Sequence, residues 1–189
     1  SADFALDGAL CMRSLVTGKD EASGAALTGA LKAQSDRVIA GINEVQFGAK
    51  LRGKPTIIVA GRTDTLLPVN HTARAYYGKN QLVDSQTAAK VRYYEVTNAQ
   101  HFDTFIGFGA ALGYDTRVVP LHPYLYRALD LMYAHLTTGT ALPPSQVVRT
   151  TPRASSATAL SASNVPAIAT SPVVADRITL VGQTLKVPD

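Results

Sequence analysis

Apolar positions at Phe4, Leu6, Leu10, Cys11 and Leu15 recur with the spacing of one helix face, and Gly18 stands where a C-terminal cap belongs. Residues 2–17 therefore read as a packed helix with Cys11 in its core. After a polar, turn-like stretch at Lys19 to Ser23, Ala26, Leu27, Ala30 and Leu31 start a second helical pattern that Val38, Ile39 and Ile42 continue; Gly41 weakens its far end. The character then changes. Gly53 to Pro55 punctuates, and Ile57, Ile58, Val59 and Ala60 form a short apolar run ended by Gly61, the pattern of a strand buried on both faces. Asn70 is placed to cap a helix that turns Ala73, Tyr76 and Tyr77 inward, and a second β-rich run follows at Val91 to Val96. Strand, helix and strand in this order predict a parallel βαβ unit.

Beyond Asn98 comes a Gly-rich passage through Gly107, Gly109 and Gly113, then an amphipathic helix with Leu125, Leu129, Met132 and Leu136 on one face. Gly139 ends it, and Pro143-Pro144 prevents a restart. Between Thr150 and Pro172, 15 of 23 residues are Ala, Ser or Thr. Such a segment cannot build a core of its own, so it reads as a linker or surface-wrapping tail, with a short terminal hairpin around Gly182. The expected organisation is a catalytic-type α/β part over residues 1–149 and a tail over 150–189.

Composition narrows the function. The chain has 189 residues and a net charge of +4, with basic residues scattered singly. That argues against a nucleic-acid groove, which clusters Lys and Arg on one face. Cys11 is the single cysteine, which excludes an internal disulfide and a multi-cysteine metal site. No apolar stretch approaches the roughly 18 to 20 residues needed to span a bilayer, and the first ten residues lack the pattern of a signal peptide.

Ligands of open parallel sheets bind beyond the carboxyl ends of the strands. Those positions carry Asp64, in Gly61-Arg62-Thr63-Asp64, and His101, in Asn98-Ala99-Gln100-His101. Loops after neighbouring parallel strands lie side by side, so the two can form the carboxylate–imidazole pair of a nucleophile triad. Taken singly, Asp64 is an ordinary turn residue and His101 an ordinary loop histidine; the pairing at matching strand ends, acid before histidine, favours chemistry. The nucleophile is missing: Ser14, Ser23 and Ser35 follow no buried strand, and none has the G-x-S-x-G context of a hydrolase serine. Asp103 is a candidate to orient His101 or a substrate. Arg62, Arg74 and Arg117 are candidates to grip a carboxylate, with Arg62 taken as the substrate-binding candidate, although a surface role is the default for any one of them. His71, His122 and His135 sit at helix ends and read as structural, and no His pair has zinc-site spacing.

Several motifs together resemble the C-terminal part of the D-(-)-3-hydroxybutyrate oligomer hydrolases. They are Leu6-Asp7-Gly8-Ala9-Leu10-Cys11, Leu51-Arg52-Gly53-Lys54-Pro55, Gly61-Arg62-Thr63-Asp64, Asn70-His71-Thr72, Glu95-Val96-Thr97-Asn98-Ala99-Gln100-His101-Phe102-Asp103, Val119-Pro120-Leu121-His122, the run Ala128 to Leu136, and Leu142 to Arg149. The resemblance extends to about Pro152 and weakens along the tail.

The resemblance implies the closing portion of an α/β-hydrolase fold and a secreted serine-type esterase, without metal or organic cofactor, that cleaves 3-hydroxybutyrate dimers and oligomers to monomer. It assigns His101 as general base and acid and Asp64 as the residue that orients it. It places the serine and oxyanion-hole donors in an upstream, N-terminal portion, the partner on which activity depends; the chain alone is expected to be inactive. Two other readings compete. One is a tannase- or feruloyl-esterase-like hydrolase, although Gln100 and Phe102 flank His101 where the tannase-like group carries a cysteine. The other is a non-catalytic interaction domain in which Asp64 and His101 merely close loops.

Overall fold

A computed structural model describes residues 5–189, which divide into two compact units between Gly48 and Ala49. In the first unit, α1 (Leu6–Thr17) ends on Gly18, whose left-handed φ of 71° lets its N–H reach the Ser14 carbonyl. Helix α2 (Gly29–Val45) follows a turn closed by a bridge between Lys19 and Ala26. The Ser35 hydroxyl, buried in α2, donates to the Leu15 carbonyl at 2.7 Å and locks the two helices together. Gly41 lies inside α2 without breaking it. The expectation of a packed first helix needs correction: no residue of α1 is buried within the described residues, and Cys11, expected in its core, is exposed. Spacing revealed the apolar stripe but not what covers it. The contribution of Phe4 to that stripe falls outside the described residues.

The second unit carries a mixed α/β arrangement around a parallel three-stranded sheet in the order β1 (Thr56–Gly61), β2 (Val91–Val96), β3 (Gln146–Val148). Helix α3 (Ala73–Val83), followed by the short α4 (Ser85–Ala88), connects β1 to β2, which is the expected βαβ unit. On one face of the sheet Tyr77 of α3 packs with Val91, Tyr93 and Val147; on the other, Tyr94, Val96 and Val148 pack with Tyr124 and Val119. Strand β2 is almost wholly buried, whereas β1 is half-buried along most of its length. The sequence predicted burial on both faces of β1. As the edge strand it has a hydrogen-bonding partner on one side only among the described residues, and its outer side is open.

Three further differences have plain causes. Strand β3 is only three residues long, too short to show periodicity. Asn70 does not cap α3; Thr72 holds that position, and the Asn70 amide oxygen accepts from Arg74 instead. In α5 (His122–Thr138) the buried residues are Tyr124 and Ala128, while Leu125, Leu129 and Leu136 of the predicted core face are 47%, 57% and 67% exposed. The Ala/Ser/Thr-rich segment forms no core of its own, yet it threads Ile168 into one face of the sheet, and Ile178, which follows it, packs into the other. The chain then closes in the expected hairpin, β4 (Thr179–Val181) and β5 (Thr184–Lys186), around Gly182. Among the described residues no helix is long and apolar enough to cross a membrane.

Candidate active site

The parallel register sets Gly61 opposite Val96, so the loops leaving β1 and β2 start side by side. Their backbones are then tied. The Arg62 N–H donates to the Val96 carbonyl at 2.8 Å, and both the N–H and the hydroxyl of Thr63 donate to the Ala99 carbonyl, at 3.0 and 2.9 Å. This close approach requires glycine at 61: a Cβ there would stand 2.2 Å from the Ala99 oxygen and 2.7 Å from the Gln100 nitrogen.

The two loops bring Asp64 and His101 into a direct hydrogen bond between Asp64 Oδ2 and His101 Nδ1. Oxygen Oδ1 of Asp64 is occupied separately, accepting the N–H groups of Leu66 and Leu67 at 3.0 and 2.8 Å, which fixes the carboxylate in a turn of its own making. Burial pushes the Asp64 carboxyl up, but the Leu67 N–H, the hydrogen bond and charge of His101, and the Leu66 N–H outweigh it and hold the group below the usual carboxylate range. An ionised Asp64 can only accept, so Nδ1 of His101 carries the proton and Nε2 is left as a proton acceptor. Gln100 braces the loop, its side chain accepting from the Phe102 N–H and donating to the Phe102 carbonyl, each at 2.7 Å. The Phe102 ring lies 3.8 Å, centroid to centroid, from the imidazole. A held imidazole of this kind can take a proton from a hydroxyl and return it to a leaving oxygen. Among the described residues, no serine or cysteine lines either of the two cavities that His101 borders.

The other candidates are placed differently. Arg62 and Arg74 both turn to Glu95, whose side chain is fully buried in β2: Arg62 Nε lies 2.5 Å from Oε1, and Arg74 reaches Oε2 through Nε at 2.7 Å and Oε1 through Nη2 at 2.6 Å. The Tyr93 hydroxyl donates to Glu95 as well, and Arg62 Nη2 donates to the Pro188 carbonyl at 2.6 Å. Arg62 thus bolts the Asp64 loop to the sheet and to the chain's end. Arg117 donates to the carbonyls of Gly113 and Leu112. Asp103 does not reach His101: its Oδ1 accepts from the Leu121 N–H and its Oδ2 from the N–H and Nδ1 of His122, at 2.7 to 2.8 Å, which caps α5. His135 Nδ1 pairs with the Thr140 carbonyl, and His71 is an exposed turn residue. No group of three or more His, Cys, Asp or Glu suited to a metal occurs among the described residues.

Glu95 escaped the sequence reading, although a lone carboxylate inside an apolar strand signals a buried charge that must have partners. Burial pushes its carboxyl up, but Arg74, Tyr93 and Arg62 outweigh this and lower it. A carboxyl lowered on folding stabilises the fold above its unfolded pKa, and that contribution disappears as pH falls through the folded value. Replacing Glu95 with Gln is expected to cost about 3 kcal/mol at neutral pH by leaving two arginines without their counter-charge. The deficit should shrink under acid. Urea unfolding of the transition that includes this sheet, measured at neutral and acidic pH, checks both statements.

A family model described as 3HB-oligomer hydrolase matches residues 1–189. The D-(-)-3-hydroxybutyrate oligomer hydrolase of Paracidovorax citrulli (strain AAC00-1) is 52% identical over 188 residues, covering 97% of this chain and 25% of that protein. The protein of the same name from Azoarcus sp. (strain BH72) is 50% identical over 190 residues, and that from Cupriavidus pinatubonensis 47% over 193, each matched over 25% of its length. The chain therefore spans about a quarter of the length of these curated relatives. No solved structure matches. With the family model covering the whole chain and identities near one half, the chain belongs to the 3HB-oligomer hydrolase family.

Proposed function

We propose that this chain is the acid–base part of a serine-type carboxylic-ester hydrolase that cleaves 3-hydroxybutyrate dimers and oligomers to monomer. The hydrogen bond between Asp64 and His101, at the carboxyl ends of adjacent parallel strands, carries the reading. That placement is the one an α/β-hydrolase uses for its acid and histidine. The serine, the oxyanion-hole donors and the remaining strands come from the rest of the protein, of which a quarter is present here relative to the curated relatives. The open outer side of β1, with the groove beside Ile58, Ala60 and Leu67, is where the next strand pairs, and the bare Leu129 and Leu136 of α5 face a covering element of the same portion.

In the reaction, His101 Nε2 takes the proton of the serine hydroxyl as its oxygen attacks the ester carbonyl. The same proton passes to the departing 3-hydroxyl oxygen as the ester C–O bond breaks, leaving an acyl-enzyme. Water repeats the sequence: His101 takes its proton, hydroxide adds to the acyl carbon, and the proton returns to the serine oxygen. Asp64 holds the ring and stabilises the imidazolium formed in each half.

The experiment is release of 3-hydroxybutyrate from its dimer by the full-length protein and by the 189-residue chain alone. Turnover by the first and none by the second is expected, and a full-length protein unable to cleave the dimer contradicts the reading.

A further inference from the structure

His122, the imidazole of a second histidine–carboxylate pair, lines the same cavity as His101. The cavity, of about 230 Å³, is lined by Val59, His101, Leu121, His122 and Leu125. His122 is fixed much as His101 is: Asp103 takes its Nδ1 at 2.7 Å, and because that carboxylate also binds the Leu121 and His122 N–H groups, the ring is set on the first turn of α5. Asp103 is 13% exposed and His122 is 59% exposed. With Nδ1 held, the Nε2 edge is free for a ligand. The helix N-terminus is not itself the attraction, since Asp103 already satisfies it.

A hydroxybutyrate ester presents limited chemistry to such a cavity. The leaving unit carries its methyl group on the carbon bearing the scissile oxygen, and its carboxylate two carbons further on. The group that protonates the scissile oxygen, His101, and the group that reads the carboxylate must therefore lie in one small space. Val59, Leu121 and Leu125 supply apolar wall for the methyl and methylene. No arginine or lysine lines the cavity, and Arg62, Arg74 and Arg117, the cations expected to grip a carboxylate, are bound to protein groups elsewhere. His122 is the remaining polar lining residue.

We propose that His122, positioned by Asp103, recognises the free carboxylate of the hydroxybutyrate unit that leaves, and so biases the enzyme toward substrates whose leaving unit is a terminal acid. This deepens the ester-hydrolase reading and rests on it. The imidazole bridges Asp103 at Nδ1 and the substrate carboxylate at Nε2, with an N–H donated to the substrate. His122 takes no part in bond breaking. Its interaction is a binding contact that an esterified carboxyl cannot reproduce.

The test compares the hydroxybutyrate dimer as free acid with its methyl ester, measuring kcat and KM of the full-length enzyme and its His122→Ala, His122→Gln and Asp103→Asn variants. The wild type is expected to prefer the acid. His122→Ala should lower the ratio of kcat/KM for acid over ester at least tenfold, mainly through a raised KM for the acid. His122→Gln, which keeps an N–H donor, should recover part of it, and Asp103→Asn should lose part. A wild type indifferent to the methyl ester, or a ratio unchanged in both His122 variants, overturns the proposal even if every variant loses activity. A wild type that cleaves neither compound refutes the ester-hydrolase reading instead.

Discussion

Replacing His101 with alanine in the full-length enzyme is expected to lower kcat/KM for the hydroxybutyrate dimer by about 10⁵-fold or more, because members of a triad act as a unit and losing one forfeits nearly all their joint effect. Asp64→Asn should cost less, about 10⁴-fold. The asparagine keeps the carbonyl oxygen that accepts from Leu66 and Leu67, so the turn survives. Its amide, however, donates toward His101 Nδ1 and leaves the ring proton on Nε2, where it blocks acceptance from the serine. The pair of variants thus separates the base from the residue that sets its tautomer. Steady-state kinetics with far-UV circular dichroism of each variant checks the result; near-normal activity in a folded His101→Ala protein removes this residue from the mechanism.

Gly61→Ala is the second large effect. The added methyl would sit 2.2 and 2.4 Å from the oxygen and carbon of the Ala99 carbonyl, both backbone atoms that cannot swing aside. The loops must part, breaking the bonds from Thr63 to Ala99 and drawing Asp64 away from His101. A displacement near 1 Å at a reacting group costs on the order of 100-fold in rate, and overpacking of this kind costs about 1 to 3 kcal/mol in stability. Gly41→Ala is the matched control: it lies in the interior of α2, where a Cβ would meet nothing within 4 Å, and should be neutral or stabilising by up to about 1 kcal/mol. Parallel kinetics and denaturant unfolding distinguish the two.

What the sequence disclosed followed from period and position. The apolar run at Ile57 to Ala60, the helix turning Tyr77 inward and the run at Val91 to Val96 are local patterns, and the topology rule for parallel strands carried Asp64 and His101 to one edge. What it concealed depends on partners distant in the chain. Ile168 is a single apolar residue in a bland segment, unrecognisable as core until the sheet offers it a surface, and Ile178, at the start of the hairpin stretch, packs on the opposite face of the sheet. The stripe Leu125, Leu129 and Leu136 is a true amphipathic face, yet periodicity does not say which element covers it, and here Tyr124 and Ala128 take the buried side. Asp103 illustrates the same limit at the site. Two residues from His101 in sequence, it serves His122, 19 residues away, because α5 begins beside the loop.

Glu95 ties these observations together. Its fully buried carboxylate gathers Arg62 from the Asp64 loop and Arg74 from the start of α3, while Arg62 also reaches Pro188 near the chain's end. Arg62 and Arg74, two of the candidates to grip a carboxylate, instead hold the scaffold that positions the acid. In the proposed reading, the histidines of the cavity are left to meet the substrate.

His101, held by Asp64, is proposed to activate a serine supplied from outside these 189 residues. Labelling the full-length enzyme with a fluorophosphonate, which reacts with an activated serine, and mapping the modified peptide by mass spectrometry tests it most directly. One labelled serine beyond this chain, and loss of labelling in His101→Ala, are expected; a label within the chain, or labelling that persists without His101, removes His101 as the base that activates a serine from outside it.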